Sequence, residues 1–237
     1  MLVLGLETST GQSSVALVGP DGVVAAASLG VPRRHSEFLA PAIRFCLDQA
    51  GVGVDRVTGV AVGLGPGLYT GLRVGIATAQ AFSAARDLPV VGLSGLDVLA
   101  FQVRHVRRLI CTIIDARRGE LFWALYRPVP GGVQRETELR VGAPAELAAE
   151  LQAAGGDCVV IGDGLTRARD DLRRVGIEVQ DTFDAQPDAA HLAALAVPRF
   201  EREETTRPTD LLPIYLRQAD AKIGWETRGR LHGGEAS

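Results

Sequence analysis

The chain has 237 residues, of which 46% are hydrophobic, and this is enough apolar material for a packed core without a disulfide or metal staple. Its formal net charge of -3 excludes a general basic field for binding nucleic acid. No apolar run reaches the about 18 residues of a membrane span, and the first residues lack the features of a secretory signal. The sequence therefore predicts a cytoplasmic protein with no membrane partner.

The first half of the chain predicts three strands and a helix, followed by two strand–helix pairs. Turn signals and apolar runs place the strands at residues 2–6, 13–18, 23–29, 57–62 and 89–93. Apolar residues at helical spacing predict helices at residues 35–50 and 71–85. Ser94 has the character of an N-cap, with Asp97 at the third helical position, for a helix that runs to about residue 103.

The second half repeats this order. It predicts strands at residues 109–114, 120–126, 133–141, 158–161 and 177–180. Helices are predicted at residues 143–153, 165–174 and 189–201, and Pro198 should kink or end the last of them. Residues 116–119 form the predicted turn after the first strand of this half.

The repeated order β-β-β-α-β-α-β-α indicates an internal duplication. An acidic residue follows the first strand of each copy, Glu7 and Asp115. This pattern matches the two-lobed, duplicated ribonuclease-H-like α/β fold shared by actin, Hsp70 and sugar kinases (the ASKHA fold), where such residues face the cleft. We expect an N-terminal lobe at 1–104, a C-terminal lobe at 105–219 whose last helix can return to the first, and a disordered tail at 220–237.

Two loops could carry chemistry. Residues 63–75 run from a strand through closely spaced glycines into a helix, so they could bind an anion or could simply allow a tight turn and close packing. The turn of Glu7, Thr8 and Ser9, together with Asp115, could hold a phosphate or a metal-bound water, or could be a hydrogen-bonded turn before a hairpin. Both pairs of alternatives stay open.

Hydrolytic chemistry and metal binding have little support. The four histidines do not have the spacing of a metal-binding pair, and no Gly-x-Ser-x-Gly elbow is present. The three cysteines are far apart, which indicates reduced, buried thiols. The basic cluster at residues 104–108 could contact RNA phosphates or form a solvated loop between the lobes. The sequence predicts no metal site and no catalytic residue.

The helices at 35–50 and 71–85 offer two surfaces for a partner. The second is rich in glycine and alanine, which would let another helix approach closely, although packing in the protein's own core is the alternative. The partner-interface candidates on these helices are His35, Phe38, Leu39, Ala42, Ile43, Tyr69, Arg73, Ile76, Ala77, Gln80 and Ala81.

Four segments together resemble the TsaB (YeaZ) family of bacterial tRNA-modification proteins. They are LGLETST at 4–10, GPGLYTGLRVG at 65–75, IDARRGEL at 114–121 and PIYLR at 213–217. The resemblance extends over about residues 2–217 and implies a role in making N6-threonylcarbamoyladenosine at position 37 of tRNAs that read codons beginning with A. It also implies the two-lobed fold.

The resemblance implies that the chain is not catalytic by itself. The sister protein TsaD carries out the carbamoyl transfer and has a histidine pair for a metal, whereas residues 90–98 here contain no histidine. The chain should act as a scaffold or activator that dimerises with TsaD and joins a TsaE-type ATPase. We expect indirect contact with tRNA, no tightly bound cofactor, and ATP, ADP or Mg²⁺ only through the complex.

Two other hypotheses for the function remain. The chain could be a metallopeptidase-like or ATP-hydrolysing enzyme of the same superfamily, or it could form a homodimer when its partner is missing. Glu7 departs from the aspartate common in the family. Its extra methylene would displace the carboxylate from a water or metal contact at this turn.

Overall fold

The computed structural model describes residues 1–32, 34–178 and 185–216. The first half of the chain forms a five-stranded sheet, with strands β1 (Val3–Glu7), β2 (Ser13–Gly19), β3 (Gly22–Leu29), β4 (Gly59–Gly63) and β5 (Val90–Leu93). Their spatial order is β3-β2-β1-β4-β5, antiparallel among the first three and parallel from β1 to β5. No helix in these described ranges is long and apolar enough to cross a membrane.

The first half has three helices: α1 (His35–Ala50) and α2 (Tyr69–Arg86) connect strands of the first sheet, and α3 (Gly95–Gln102) leads to the second sheet. The predicted bounds of α1 are confirmed, and Gly51 ends it in the left-handed conformation with φ of 63°. Ser94 caps α3 as predicted, because its Oγ accepts a hydrogen bond from the Leu96 N–H at 3.2 Å. The helices α1 and α2 share one apolar core with β1, β2 and β4.

The second half forms another five-stranded sheet, with strands β6 (Leu109–Arg117), β7 (Glu120–Val129), β8 (Gly132–Arg135), β9 (Arg140–Gly142) and β10 (Cys158–Ile161). Its order is β10-β6-β7-β8, and β9 also pairs with β7. The helices of this half are α4 (Pro144–Ala153), α5 (Leu165–Arg174) and α6 (Ala189–Glu201). One face of this second sheet shares a core with α4 and α5.

The single strand predicted at residues 133–141 is wrong, because β8 and β9 are separate strands on different stretches of β7. Between them, the Glu136 N–H donates to the Leu125 carbonyl at 2.8 Å, but the Leu125 N–H donates to Thr137 Oγ1 at 3.1 Å. A side-chain oxygen therefore replaces the carbonyl that a continuous ladder would supply, and the ladder stops there.

Other details of the second half differ from the predictions. Strand β6 continues through the predicted turn to Arg117, and the hairpin bends through three residues of positive φ at 117–119. Pro198 does not end α6, since its carbonyl accepts from the Arg202 N–H at 3.2 Å one turn later. Residues 177 and 178 form no strand. The rest of that predicted strand, Arg217 and the predicted tail at 220–237 lie outside the described residues.

The last helix of each half covers the sheet of the other half. The apolar side chains of α6 form one core with β1, β2, β4 and β5 of the first sheet. Those of α3 form one core with β6, β7 and β10 of the second sheet. Each sheet is therefore buried on one face by its own helices and on the other by an exchanged helix. The lobe boundary near residue 104 stays a prediction.

Polar contacts fix the two exchanged helices. Asp97, at the third position of α3 as predicted, accepts a hydrogen bond from the Tyr126 hydroxyl of β7 at 2.8 Å. Burial raises the pKa of Tyr126, so this hydroxyl keeps its proton and stays a donor. Between the helices, Gln102 Nε2 donates to Asp188 Oδ2 at 2.8 Å. Hydrogen bonds as well as apolar packing therefore hold α3 and α6 in their exchanged positions.

Gly5 in the middle of β1 lets α6 approach the first sheet closely. A Cβ at this position would overlap the Ala189 carbonyl oxygen and lie 3.1 Å from Ala193 Cβ. Those atoms belong to the helix backbone and its first turns, which cannot move without disturbing the whole contact. A side chain at position 5 is therefore excluded by the exchanged helix.

We predict that Gly5→Ala destabilises the fold, because its methyl group would push α6 away from β1. The free energy of unfolding should fall by about 1–3 kcal/mol, the usual cost of overpacking a tight core. Urea unfolding would measure it. Gly30→Ala is the matched control, since a Cβ there has no atom within 4 Å. Equal stability of the two variants would contradict the proposed role of Gly5.

Candidate functional site

The turn after β1 holds a fully enclosed carboxyl group. Glu7 Oε1 accepts a hydrogen bond from the Ser9 N–H at 2.6 Å, while Oε2 is buried and has no hydrogen-bond partner in the described part of the chain. Burial raises the pKa of Glu7 from its ordinary value of 4.5 to about 7. Gly63 of β4 adjoins this carboxyl group, and a Cβ there would overlap it. The site has no space left for a ligand at this oxygen.

The glycine-rich loop packs against the same turn. A Cβ at Gly67 would overlap the Ser9 carbonyl oxygen, and one at Gly71 would overlap the Thr8 carbonyl oxygen. The Leu68 N–H, at the start of α2, donates to the Ser9 carbonyl at 2.7 Å, and Thr8 Oγ1 donates to the Gly71 carbonyl at 2.8 Å. The space that an anion would need before α2 is therefore filled by residues 8 and 9, and the glycines serve close packing.

Asp115, the equivalent acidic residue of the second half, is held by two arginines. Its Oδ1 accepts from the Arg117 N–H at 2.8 Å and from Arg167 Nε at 3.2 Å, and its Oδ2 lies 3.3 Å from Arg117 Nη1. Its own N–H donates to Asp163 Oδ1 at 2.8 Å, and burial raises the pKa of Asp163. A cation at Asp115 would have to displace both guanidinium groups.

These two turns lie on either side of the start of α3. A Cβ at Gly95 would be 3.2 Å from Ser9 Oγ and 3.5 Å from Ile114 Cδ1, so the cleft is narrow here. With Glu7 enclosed and Asp115 ion-paired, the residues present do not fit a magnesium-bound nucleotide. Among the residues described, no three His, Cys, Asp or Glu side chains are grouped so that they could hold a metal ion.

Five of the eleven partner-interface candidates are buried inside the protein. They are His35, Leu39, Ala42, Ile43 and Ile76. His35 joins α1 to β2, because its Nδ1 lies 2.7 Å from Ser13 Oγ, and burial lowers its pKa. Phe38 and Gln80 are half-buried. These residues position the two helices, and only the remaining candidates lie on the surface.

The exposed candidates form one line along α2. Tyr69, Arg73, Ala77 and Ala81 are four residues apart, so they lie on one face of the helix, and all four are exposed. We call these four residues the α2 stripe. Its two alanines leave the helix backbone close to the surface over more than a turn, which is what a closely packed helix from another chain requires.

A groove lies on each side of the α2 stripe. One groove, of about 510 Å³, separates α2 from α1 and is lined by Ala40, Ile43, Ala77, Thr78, Ala81 and Phe82. The other, of about 420 Å³, separates α2 from the segment at residues 211–216 and is lined by Arg73, Ile76, Ala77, Gln80, Leu211, Leu212, Pro213 and Tyr215. Both linings are mainly apolar.

Two exposed apolar side chains beside this face were not among the interface candidates. Leu212 is 72% exposed and Tyr215 is 51% exposed, and both line the groove next to α2. Tyr215 stacks on Tyr69, with ring centroids 5.9 Å apart. The sequence signals for Leu212 and Tyr215 are an apolar segment after the last helix and, for Tyr215, the PIYLR segment of the family resemblance, and neither indicates an exposed surface.

The chain matches known proteins along most of its length. The family model of TsaD, tRNA N6-adenosine threonylcarbamoyltransferase, matches residues 28–225. The tRNA threonylcarbamoyladenosine biosynthesis protein TsaB of Escherichia coli (strain K12) is 30% identical, over 95% of this chain and 97% of that protein. The TsaB protein of Bacillus subtilis (strain 168) is 27% identical, over 95% and 98% of the two chains.

Solved structures agree with the fold. YeaZ from Pseudomonas aeruginosa has a TM-score of 0.80 and 31% identity, over 91% of this chain and 99% of that chain. The activator of the 2-hydroxyisocaproyl-CoA dehydratase from Clostridium difficile, with bound ADPNP, has a TM-score of 0.52 and 11% identity, over 86% and 97% of the chains. The latter similarity concerns the fold alone. The predicted duplicated ribonuclease-H-like (ASKHA) fold is confirmed.

The raised pKa of Glu7 predicts a pH-dependent stability. The folded protein binds this proton more tightly than the unfolded chain, so the stabilisation is complete below about pH 4.5 and is lost as the pH rises to about 7. Glu7→Gln keeps a neutral side chain with an acceptor oxygen at every pH. Relative to the parent, the variant should gain on the order of 3 kcal/mol between these pH values.

Urea unfolding of both proteins between pH 5 and pH 8 would measure this difference. Glu201→Gln is a suitable control, because Glu201 is exposed at the end of α6 and its replacement removes the same charge. A pH-independent difference between Glu7→Gln and the parent would show that burial does not hold the proton on Glu7.

Proposed function

The chain belongs to the TsaB (YeaZ) family, and from this membership we propose that it is a non-catalytic subunit in the biosynthesis of threonylcarbamoyladenosine in tRNA. In this proposal it pairs with a TsaD-type enzyme, which carries out the transfer to adenosine. The single observation that carries the pairing is the exposed α2 stripe between two mainly apolar grooves.

The environment of the two carboxyl groups at the cleft supports a non-catalytic role. A general acid or base must reach its substrate, and a metal-binding carboxylate must have free oxygens. Glu7 is enclosed by Gly63 and by its own turn, and Asp115 is neutralised by Arg117 and Arg167. Neither carboxyl group is placed to act on a bound substrate, so the residues that give related folds their chemistry serve structure here.

The outer face of α1 and α2 supports a role in docking. Alanine at positions 77 and 81 presents little side chain, and the grooves on both sides would accept larger apolar side chains of a partner. Helices pack in this way when the ridge of one enters the groove of the other. The exposed rings of Tyr69 and Tyr215 add apolar area to the same face.

The remaining components of the proposal come from the family resemblance. A TsaE-type ATPase joins the pair, and tRNA reaches the chain only through the complex. ATP, ADP and Mg²⁺ act in the complex, and the chain holds no cofactor tightly by itself. A homodimer through the same surface competes with the TsaD-type partner, because both would cover the α2 stripe.

Reconstitution tests the proposed function directly. Purified TsaD-type enzyme, the ATPase, threonylcarbamoyl-adenylate and tRNA are combined with and without this chain, and modified adenosine is measured. We expect product only when the chain is present, and none from the chain with adenylate and tRNA alone. Turnover by the chain alone would make it an enzyme, and no effect of adding it would contradict the activator role.

A glutamate in the α2 stripe should abolish pairing. Ala77→Glu and Ala81→Glu would each bury an unpaired carboxylate under the partner, a cost of several kcal/mol that weakens binding by about 100-fold or more. Both alanines are exposed, so the isolated variants should unfold at the parent's urea concentration. Calorimetric titration with the TsaD-type enzyme would measure the affinity.

Ala149→Glu is the matched control for this pair of variants. Ala149 is an exposed alanine inside α4, on the outer face of the second sheet, and its replacement adds the same charge at a helical position. It should bind the enzyme with the parent's affinity. Parental affinity of Ala77→Glu and Ala81→Glu would rule out the α2 stripe, and loss of affinity in Ala149→Glu would point to a general charge effect.

A further inference from the structure

Arg73 is an exposed cation held in a fixed position on the α2 stripe. Its guanidinium carbon lies 4.1 Å from the centroid of the Tyr69 ring, one helical turn earlier. That ring stacks in turn on Tyr215, with an angle of 27° between the planes. A long side chain that would otherwise sample many rotamers is therefore directed along an aromatic surface.

The second ring of this stack is itself anchored. The Ile214 N–H donates to the Leu64 carbonyl at 2.8 Å, next to Tyr215, and Leu211 is buried in the core with α1 and α2. Gln80 Nε2 also contacts the Leu211 carbonyl at 3.5 Å. The segment at residues 211–216 thus holds Tyr215 against α2, and the stack joins two separate parts of the chain.

Arg73 has no carboxylate partner within 4 Å in the described ranges. The arginines within and just before α1 are different, because Arg44 pairs with Asp48 at 3.7 Å and Arg34 with Glu37 at 3.8 Å. Around Arg73 the groove is lined mainly by apolar atoms. The α2 stripe therefore carries one charge, which is fixed in place and not neutralised by an acidic residue described here.

A partner that covers the α2 stripe would remove the Arg73 guanidinium from water. An exposed ion pair contributes little, but removing a guanidinium from water without an anionic partner strongly weakens association. A carboxylate placed opposite would offset that cost, and the fixed position of Arg73 reduces the entropy lost on pairing. A partner that buries the α2 stripe consequently needs an anion at this point.

We propose that the partner surface on the α2 stripe is an apolar helix that carries one aspartate or glutamate, whose carboxylate pairs with Arg73. This inference rests on the proposed function, because it describes the partner's chemistry at the same surface. Apolar side chains of that helix enter the grooves beside Ala77 and Ala81.

A second copy of the chain fits this requirement poorly. In a two-fold dimer the same patch meets itself, so the charge of one α2 stripe would face the uncharged residues or the Arg73 of the other. The acidic residues of the adjoining α1, Glu37 and Asp48, already have arginine partners. The charge of Arg73 therefore favours a different chain over a homodimer.

Charge removal at Arg73 tests the proposal. Arg73→Gln should weaken binding to the TsaD-type enzyme by about 30-fold or more, and Arg73→Glu should weaken it further because two carboxylates would then meet. Arg107→Gln is the control, since Arg107 is an exposed arginine in the loop before β6. Calorimetric titrations at several NaCl concentrations would give each affinity, and only Arg73→Gln should show a weaker salt dependence than the parent.

A suppressor in the partner would identify the carboxylate. Exposed aspartates and glutamates of the TsaD-type enzyme are replaced one at a time by arginine, and each product is titrated with Arg73→Glu. One replacement should restore binding by about 10-fold or more. Restoration by none of them would overturn the inference.

The outcomes separate this inference from the proposed function. Parental affinity and salt dependence in Arg73→Gln, together with loss of binding in Ala77→Glu, would overturn the carboxylate partner and leave the docking surface in place. Parental affinity in Ala77→Glu would overturn the surface itself. Tighter self-association of Arg73→Gln, measured by sedimentation, would support the proposal that Arg73 discriminates against a second copy.

Discussion

The exchange of the last helix of each half is the constraint on which the rest of this structure depends. Two helices of its own half cover only one face of each five-stranded sheet. The other face is buried by α6 in the first sheet and by α3 in the second. The exchange is sterically demanding, as the absence of a side chain at Gly5 demonstrates. Unfolding one half therefore exposes the apolar face of the other.

This constraint also decides which surfaces are left for function. The start of α3, at Gly95, enters the space between the two acidic turns, and the cleft there closes around Glu7 and Asp115. The protein's own residues thus fill the cleft at these two turns. The outer face of α1 and α2 has no such cover, and it is here that exposed aromatic and small residues come together.

The sequence predicts the helices of this fold well and its site only partly. Helices α1, α5 and α6 begin and end where the apolar periodicity indicates, because this signal is local. The division between β8 and β9 depends on a bond from Leu125 to Thr137, which no pattern encodes. Burial of Glu7 and the stacking of Tyr69 on Tyr215 depend likewise on distant segments.

The glycine-rich segment links the cleft to the docking surface. Glycines at 67, 71 and 75 let the first turns of α2 rest on Thr8 and Ser9, which fixes the height of this helix above the sheet. The Leu64 carbonyl, at the start of the same segment, accepts from the Ile214 N–H and so brings Tyr215 level with Tyr69. A loop that could have bound phosphate instead sets the geometry of the α2 stripe. Close packing at these glycines is therefore a requirement of the proposed docking function, and not only of the fold.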